Sequence, residues 1–247
     1  MNQGTKSGTL FLIPNFLSAG AKELPVPDYV KSITRHIHHF VVESDGPARK
    51  LMAKIWGVQN LNHLDFWIID AGSRDVEMEK EIQSLLKQGK DVGLISDAGY
   101  PSVGDPGESV VFLAHKSGYR VKPLIGPNSY IMALSASGLN AEKFTFHGYL
   151  PKDKAGRISS LKQLEASVRK SGYSQIFMET PYRNTEIIKE ITQSLDGELY
   201  LSISWDITGP DEFISTQKIA DWKKYTPDDK TDKLPAVYVL GGFNRAF

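Results

Sequence analysis

The stretch Gly93-Leu94-Ile95-Ser96-Asp97-Ala98-Gly99-Tyr100-Pro101-Ser102-Val103-Gly104-Asp105-Pro106-Gly107 decides how this chain is read. An apolar run, Val92 to Ile95, predicts a buried strand, and a helical pattern starts near Glu108. Between them lie two carboxylates, Asp97 and Asp105. Gly99, Gly104 and Gly107 permit backbone angles closed to other residues, and Pro101 and Pro106 stiffen the path. Open α/β sheets place ligands at the carboxyl ends of their strands. This loop is too long and too constrained for a plain connection. The plainer alternative is a tight strand-to-helix turn.

Working outward, β-rich runs recur at Thr9–Ile13, Phe40–Val42, Phe66–Ile69, Val92–Ile95 and Val121–Leu124, with helical patterns at Ala48–Trp56, Met78–Gln88 and Glu108–Ser117. Such alternation predicts a mainly parallel sheet. After Gly126-Pro127 come a helix over Tyr130–Ser137 and strands over Lys143–Gly148, Gln175–Glu179, Tyr200–Ser204 and Ala236–Leu240. Polar helices are predicted over Ala155–Lys170 and Asn184–Ser194. Around Trp205–Thr216 two strands follow each other across a turn, which predicts antiparallel pairing. The chain is therefore read as two α/β domains, residues 1–124 and 125–247. The first holds a mainly parallel sheet and the second a mixed or antiparallel one. The charged stretch Tyr225–Lys233 reads as a mobile loop.

Composition narrows the function. Of 247 residues, 29 are Lys or Arg and 29 Asp or Glu, so no global field draws the chain to nucleic acid or anionic lipid. The absence of cysteine excludes disulfides, thiolate metal sites and cysteine nucleophiles. No run approaches the roughly 18–20 apolar residues of a membrane span. The start, Met1 to Gly8, is polar and lacks a signal-peptide pattern. A soluble cytoplasmic protein is expected. His36, His38 and His39 look like a metal cluster, yet no carboxylate sits at ligand spacing, and no metal is expected. Trp56, Trp67 and Trp222 read as packing residues.

The loop Ser96-Asp97-Ala98-Gly99-Tyr100-Pro101 followed by Asp105-Pro106-Gly107 resembles the signature of the tetrapyrrole methylase-like family of S-adenosylmethionine-dependent methyltransferases. Further likenesses follow in order. They are Pro123-Leu124-Ile125-Gly126-Pro127, Ala133-Leu134-Ser135-Ala136-Ser137-Gly138-Leu139, Phe146-His147-Gly148-Tyr149-Leu150-Pro151 and Phe177-Met178-Glu179-Thr180-Pro181-Tyr182-Arg183. Upstream, Glu43 and Arg49-Lys50-Leu51-Met52 align with the family's Glu-Asp-Thr-Arg region. The likeness is strongest to the branch acting on small-subunit ribosomal RNA, where it implies methylation of a cytidine ribose 2′-hydroxyl. It also implies a homodimer and S-adenosylmethionine bound in a cleft between the two domains. The cofactor-lining residues it implies are Ser96, Asp97, Ala98, Gly99, Pro101 and Asp105, with Asn128, Ser129 and Met178. Asp105 reads rather as a cap of the following helix, through the Asp-Pro pairing at a helix start. Gly209-Pro210-Asp211-Glu212 and Leu234-Pro235-Ala236-Val237 lean instead toward porphyrin-type methylases, which adds Pro235 and Ala236 as cofactor contacts. An ordinary edge-strand entry explains that proline as well.

An alcohol acceptor needs a base within hydrogen-bond reach. Glu43, Asp45, His147 and Glu179 are the candidates, with Glu179 and Glu43 named as catalytic; a structural hydrogen bond is the rival reading for Glu179. Arg49 and Arg183 would hold a substrate phosphate or carboxylate, or else form surface ion pairs. Several positions depart from the family. Pro14-Asn15-Phe16-Leu17-Ser18 replaces a glycine-containing turn, Glu43-Ser44-Asp45-Gly46 loses a carboxylate and an arginine, Ile69-Asp70-Ala71-Gly72-Ser73 lacks an expected His/Asn pair, and Trp205 replaces an arginine. These departures keep two alternatives open: a methyltransferase for a tetrapyrrole precursor, and a cofactor-binding module without catalysis. A nicotinamide-binding protein is disfavoured, because no Gly-x-Gly-x-x-Gly follows the first strand.

Overall fold

The computed structural model describes residues 7–23, 25–58, 60–70, 72 and 75–242. Met1–Lys6, Ala71, Ser73 and the final residues 243–247, on which parts of the sequence reading fall, lie outside them. The chain divides into two compact units, Met1–Asn128 and Ser129–Phe247.

The first unit is built on five parallel strands: β1 (Thr9–Leu12), β2 (His39–Val42), β3 (Asp65–Ile68), β4 (Val92–Ile95) and β5 (Arg120–Pro123), in the order β3-β2-β4-β1-β5. Parallel strands covered on both faces read as nearly continuous apolar runs, and β4 is buried at every position. Alternation within β2 divides the core. Phe40 and Val42 join the cluster of Ile13, Leu51, Met52 and Ile55, while Val41 joins Leu94, Ile82 and Val110 on the opposite face. Helices α1 (Asp28–Thr34) and α2 (Asp45–Trp56) supply the first cluster, and α3 (Val76–Lys87) and α4 (Glu108–Lys116) the second. Gly93 is required by this packing, since a Cβ there would lie 2.6 Å from Phe40 Cδ1 and 2.7 Å from Ile13 Cδ1.

The order of strands creates one switch point. From β2 the chain crosses to β3 on one side; from its neighbour β4 it crosses to β5 on the other. The carboxyl ends of β2 and β4 therefore open onto a crevice, the usual ligand position in open α/β sheets. Glu43 follows β2 directly, and Ser96-Asp97 follow β4.

The second unit holds a mixed sheet of β6 (Phe144–Tyr149), β7 (Ser174–Glu179), β10 (Ala236–Gly241), β8 (Tyr200–Trp205) and β9 (Phe213–Lys218), in that order. Only β6 and β7 pair in parallel. Helices α6 (Lys154–Ser171), α7 (Asn184–Ser194) and α8 (Ile219–Trp222) pack on the face of Phe177, Trp205 and Tyr238. The apolar, small-residue helix α5 (Ser129–Ser137) also packs against β7, β8, β9 and β10. Asp153 caps α6 by accepting the Gly156 N–H at 2.7 Å. Arg157, buried on α6, forks onto both oxygens of buried Glu190 at 2.8 Å and reaches Glu186 at 2.8 Å.

Two expectations need correction. Helix α1 was absent from the sequence reading: its seven residues bury only Val30 and Thr34, too short a pattern to show a helical period. The stretch Tyr225–Lys233, expected as a mobile loop, is pinned at its end. Buried Asn184 donates to the carbonyls of Thr231 at 2.9 Å and Leu234 at 2.8 Å, and Thr185 N–H donates to Asp232 at 2.8 Å. Charge alone suggested solvation; the partner lies 47 residues away in sequence.

Candidate functional site

In the first unit the site is assembled from three strand exits. Glu43, at the end of β2, accepts the backbone N–H of Asp97 at 2.9 Å. Ser44 precedes α2 in the cap position but makes no capping bond; its hydroxyl donates to Asp97 Oδ2 at 2.8 Å. The third exit is that of β1. Asn15, 2% exposed, donates through Nδ2 to the carbonyls of Ser96 at 2.9 Å and Asp97 at 3.1 Å, and its Oδ1 accepts the Phe16 N–H at 2.8 Å. Backbone bonds Asn15 N–H to Gly99 C=O (2.7 Å) and Gly99 N–H to Phe16 C=O (3.0 Å) complete the join. The altered first-strand turn thus braces the loop after β4. Asn15 and Ser44 were not singled out as site residues; the only signal is a short polar side chain directly after an apolar strand.

The loop itself is strained where glycine is absent and tight where it is present. Ser102 sits at φ 66°, in the left-handed region. Gly107, at φ 133°, leaves room for Ser102 Oγ and Leu94, which would stand 2.7 and 2.8 Å from an added Cβ. Ser96 is buried and donates to the Ala98 carbonyl at 3.0 Å, Pro101 and Gly99 are buried, and Ala98 is exposed. Tyr100 is half-buried, and burial, then the nearby Tyr29, raises its hydroxyl above the ordinary tyrosine range.

Three acidic groups share this crevice with little positive charge to balance them. Burial raises the Asp105 carboxyl to about 6; Glu43 and, more weakly, Asp97 push the same way, against the nearby Ser96 hydroxyl, whose one proton the Ala98 carbonyl also draws. Burial also raises Glu43, partly offset by the Asp97 N–H it accepts. Asp97 Oδ1 is buried and meets no partner. The capping reading of Asp105 is not what the structure shows. Gly107 is the residue at the cap of α4, with no side-chain capping bond, because the turn at Gly107 carries the chain past Asp105 before the helix starts.

The remaining candidates fall on the second unit, apart from Asn128, which ends the first, while Ser129 opens α5. Successive strand residues point to opposite faces. Met178 pairs with Val237, and Glu179 pairs with Ala236 on the face of Phe177 and Tyr238. Met178 and Glu179 therefore serve different faces of β7. Glu179, 3% exposed, accepts the Thr180 N–H at 2.8 Å and hydroxyl at 3.1 Å, with Arg183 at 3.8 Å; its Oε2 is buried without a partner. These are the contacts of a residue shaping the turn after β7. Pro235 accepts the Asp206 N–H at 3.2 Å, and Ala236 is buried between β7 and β8.

The other sequence candidates are engaged elsewhere. Arg49 holds Asp45 at 2.7 and 2.8 Å, with its guanidinium 4.6 Å from the Phe66 ring centre. His147 bonds Gln175 at 2.8 Å. His36 bonds the Ser32 carbonyl, His39 bonds Asp65, and His38 lies against Trp56 and His63. Trp205 and Trp222 are core residues.

Residues 28–222 match the sequence profile of the family described as Tetrapyrrole (Corrin/Porphyrin) Methylases. A protein named ribosomal RNA small subunit methyltransferase I from Buchnera aphidicola (subsp. Schizaphis graminum) is 29% identical over 98% of this chain and 81% of its own length. Proteins of the same name from Escherichia coli O157:H7 and Mesorhizobium japonicum are 33% and 36% identical over 63% and 67% of this chain. Those matches span 53% and 55% of the two relatives, about half their length. Among solved structures, the methyltransferase CobJ aligns over 98% of both chains with a TM-score of 0.58 and 14% identity. A uroporphyrin-III-C-methyltransferase from Thermus thermophilus aligns over 95% of this chain and 94% of its own, with a TM-score of 0.52 and 14% identity. These likenesses establish the shared fold. Among the described residues no helix is long and apolar enough to cross a membrane. With most of its length matched by one profile, this chain belongs to the tetrapyrrole (corrin/porphyrin) methylase family of methyltransferases.

Proposed function

We propose that this protein transfers a methyl group from S-adenosylmethionine to small-subunit ribosomal RNA, at a cytidine ribose 2′-hydroxyl. The observation that carries the cofactor reading is the switch-point crevice, where Asp97 presents a buried carboxylate oxygen without a donor. Leaving a buried acceptor unpaired costs about 1–3 kcal/mol, more when it is charged. A cationic ammonium or a ribose hydroxyl of the cofactor relieves that cost. Gly99 and Gly107, with Ser96, Ala98 and Pro101, let the backbone approach such a ligand closely. Asn128, Ser129, Met178, Pro235 and Ala236 are proposed as further contacts on the family resemblance.

When bound, S-adenosylmethionine supplies a methyl group on a sulfonium, open to in-line displacement by an acceptor oxygen. The chain's own task is alignment and removal of the acceptor proton. Asp105 is proposed as the proton acceptor, since a carboxyl held at about 6 is largely ionised at neutral pH yet basic enough to take a proton. Glu43 sets the position of Asp97 through its backbone N–H and keeps Asp105 from ionising too readily. Glu179 is assigned to the turn after β7, where Thr180 and Arg183 occupy its reachable oxygen. The ribosomal RNA substrate is supported by the names of the relatives. A soluble cytoplasmic homodimer is proposed on the family resemblance alone.

The test is transfer of labelled methyl to unmodified small ribosomal subunits, alongside calorimetric titration with S-adenosylmethionine. Micromolar binding that weakens about tenfold or more in Asp97→Ala, with methylation of the subunit, is the expected result. Binding without incorporation at saturating cofactor rejects the substrate. No binding at millimolar cofactor rejects the whole reading.

A further inference from the structure

Four described residues other than glycine hold a left-handed backbone: Ser102 at φ 66°, Tyr182 at φ 73°, Asp206 at φ 46° and Thr208 at φ 68°. All four follow the carboxyl end of a strand, β4 for the first, β7 for the second and β8 for the last two. Such strain persists only where the surroundings enforce it, and it gathers at binding sites. Ser102 belongs to the loop proposed above to hold the cofactor. The other three stand at one edge of the second sheet. Register sets Glu179, Ala236 and Trp205 side by side, so the turns after β7 and β8 adjoin the entry to β10. That edge also carries Met178, Pro235 and Ala236, proposed above as cofactor contacts.

Aspartate enters the left-handed region more readily than most residues, whereas a bulky tyrosine there is an outlier. The backbone of Tyr182 is fixed from outside. Its N–H donates to the Asp232 carbonyl, and two residues on, buried Asn184 donates to the carbonyls of Thr231 and Leu234. These bonds dictate the turn and ask nothing of the side chain at 182; glycine satisfies them without strain. Yet the residue is a tyrosine, 71% exposed, the most exposed large hydrophobic side chain among the described residues. Within those residues its ring stacks on no other and its hydroxyl has no hydrogen-bond partner. The packing gains nothing from this ring, and the backbone is strained to carry it.

The neighbours decide what the ring can hold. Arg183 faces Glu179 at 3.8 Å, and Glu186 and Asp232 keep their negative charge beside the same turn. That surface disfavours a phosphate and suits the uncharged face of a base. Unstacked RNA bases are held on such exposed aromatic faces. We propose that Tyr182 is a platform on which an unpaired base of the RNA substrate stacks, at the edge of the second sheet. The inference rests on the ribosomal RNA reading and adds to it a substrate-binding residue in the second unit.

The experiment compares wild type with Tyr182→Gly, Tyr182→Phe and Tyr182→Trp, by thermal unfolding, titration with S-adenosylmethionine and methyl-transfer kinetics on small subunits. Tyr182→Gly unfolds at or above the wild-type temperature, since glycine takes this backbone freely. Its KM for subunits rises about fivefold or more, the loss of one base–aromatic stack, while kcat and S-adenosylmethionine affinity hold. Tyr182→Phe and Tyr182→Trp keep a flat face and stay within about twofold of the wild-type KM. The added indole emission of Tyr182→Trp is quenched by a single-stranded oligonucleotide of small-subunit RNA. A Tyr182→Gly variant with the wild-type KM overturns the platform while leaving the methyltransferase reading intact. A lower unfolding temperature in that variant overturns the strain argument beneath it. Loss of S-adenosylmethionine affinity with an unchanged KM for subunits gives the ring to the cofactor's adenine and overturns the proposal. A wild-type protein that neither binds nor methylates RNA overturns both readings.

Discussion

Ser44 gives its hydroxyl to Asp97 Oδ2 at 2.8 Å, across 53 residues of sequence, instead of capping the helix it precedes. A serine in that position ordinarily satisfies a helix N–H, a bond typically worth about 1 kcal/mol. Here the hydroxyl is spent on the crevice, and it joins the Glu43–Asp97 backbone bond in fixing where the carboxylate points.

Ser44→Ala therefore affects the ligand more than the helix. Affinity for S-adenosylmethionine falls about five- to tenfold, because Asp97 keeps its charge but loses its orientation, and stability drops by about 1–2 kcal/mol. Calorimetric titration and urea unfolding on the same preparation check both. A variant with full affinity rejects the orienting role.

Asp105 gives a pH signature. Its carboxyl rises from 3.8 to about 6 on folding, through burial first and Glu43 second, so the native state holds a proton the unfolded chain releases. That contribution to stability is fully present below about pH 3.8 and is lost as pH rises through about 6. Asp105→Asn is then more stable than wild type at pH 8, by about 1 kcal/mol after discounting for solvent screening, and no more stable at pH 3.5. The wild-type kcat/KM rises with an apparent value near 6, and the variant loses about 100-fold or more of the rate. Denaturation and rate profiles across this range test the two halves separately.

Gly107→Ala is expected to cost about 2–4 kcal/mol. The backbone there stands at φ 133°, and the new Cβ meets Leu94 Cδ2 at 2.8 Å and Ser102 Oγ at 2.7 Å. Gly118→Ala, at φ 74° but with open space around it, costs only the backbone term of about 1 kcal/mol. Thermal unfolding of the pair separates collision from conformation; equal losses would show that crowding at 107 contributes nothing.

The buried Arg157–Glu190 pair makes removal of one partner worse than removal of both. Glu190→Ala leaves the guanidinium with the exposed Glu186 as its carboxylate partner, beside the Lys152 carbonyl, and costs about 3–5 kcal/mol, while Arg157→Met/Glu190→Leu lies within about 1 kcal/mol of wild type. Urea unfolding of both variants decides it, and a double variant as unstable as the single one contradicts the argument.

The alternation of strands and helices was legible because both sheets are built from residues whose environment matches their pattern. Val92–Ile95 and Asn184–Ser194 have the predicted limits, and the other assigned elements shift at their ends by up to three residues. The β8–β9 pairing is antiparallel, as the turn between them implied. Helix α1 escaped because two buried residues make no period. In the site, the loop residues were visible through their glycines and prolines. Asn15 and Ser44 were hidden, because hydrogen bonds to residues 53 and 81 positions away leave no local trace. Glu179 was legible as a polar residue at a strand end but not as to its face, since that depends on which side of β7 the helices cover.

The brace between Asn15 and Ser96 also orders events in time. Among the described residues strand β1 pairs with β4 and β5 alone, and the side chain that shapes the loop reaches across 81 residues. At ribosomal speeds of roughly 5–20 residues per second, the nascent chain waits roughly 4–16 seconds between making Asn15 and making Ser96. During that interval Thr9–Leu12 is an apolar segment that lacks both of the strands it pairs with. The loop after β4 can take its braced form only when that wait ends, which makes the first turn of the chain one of the last parts of the first unit to find its place.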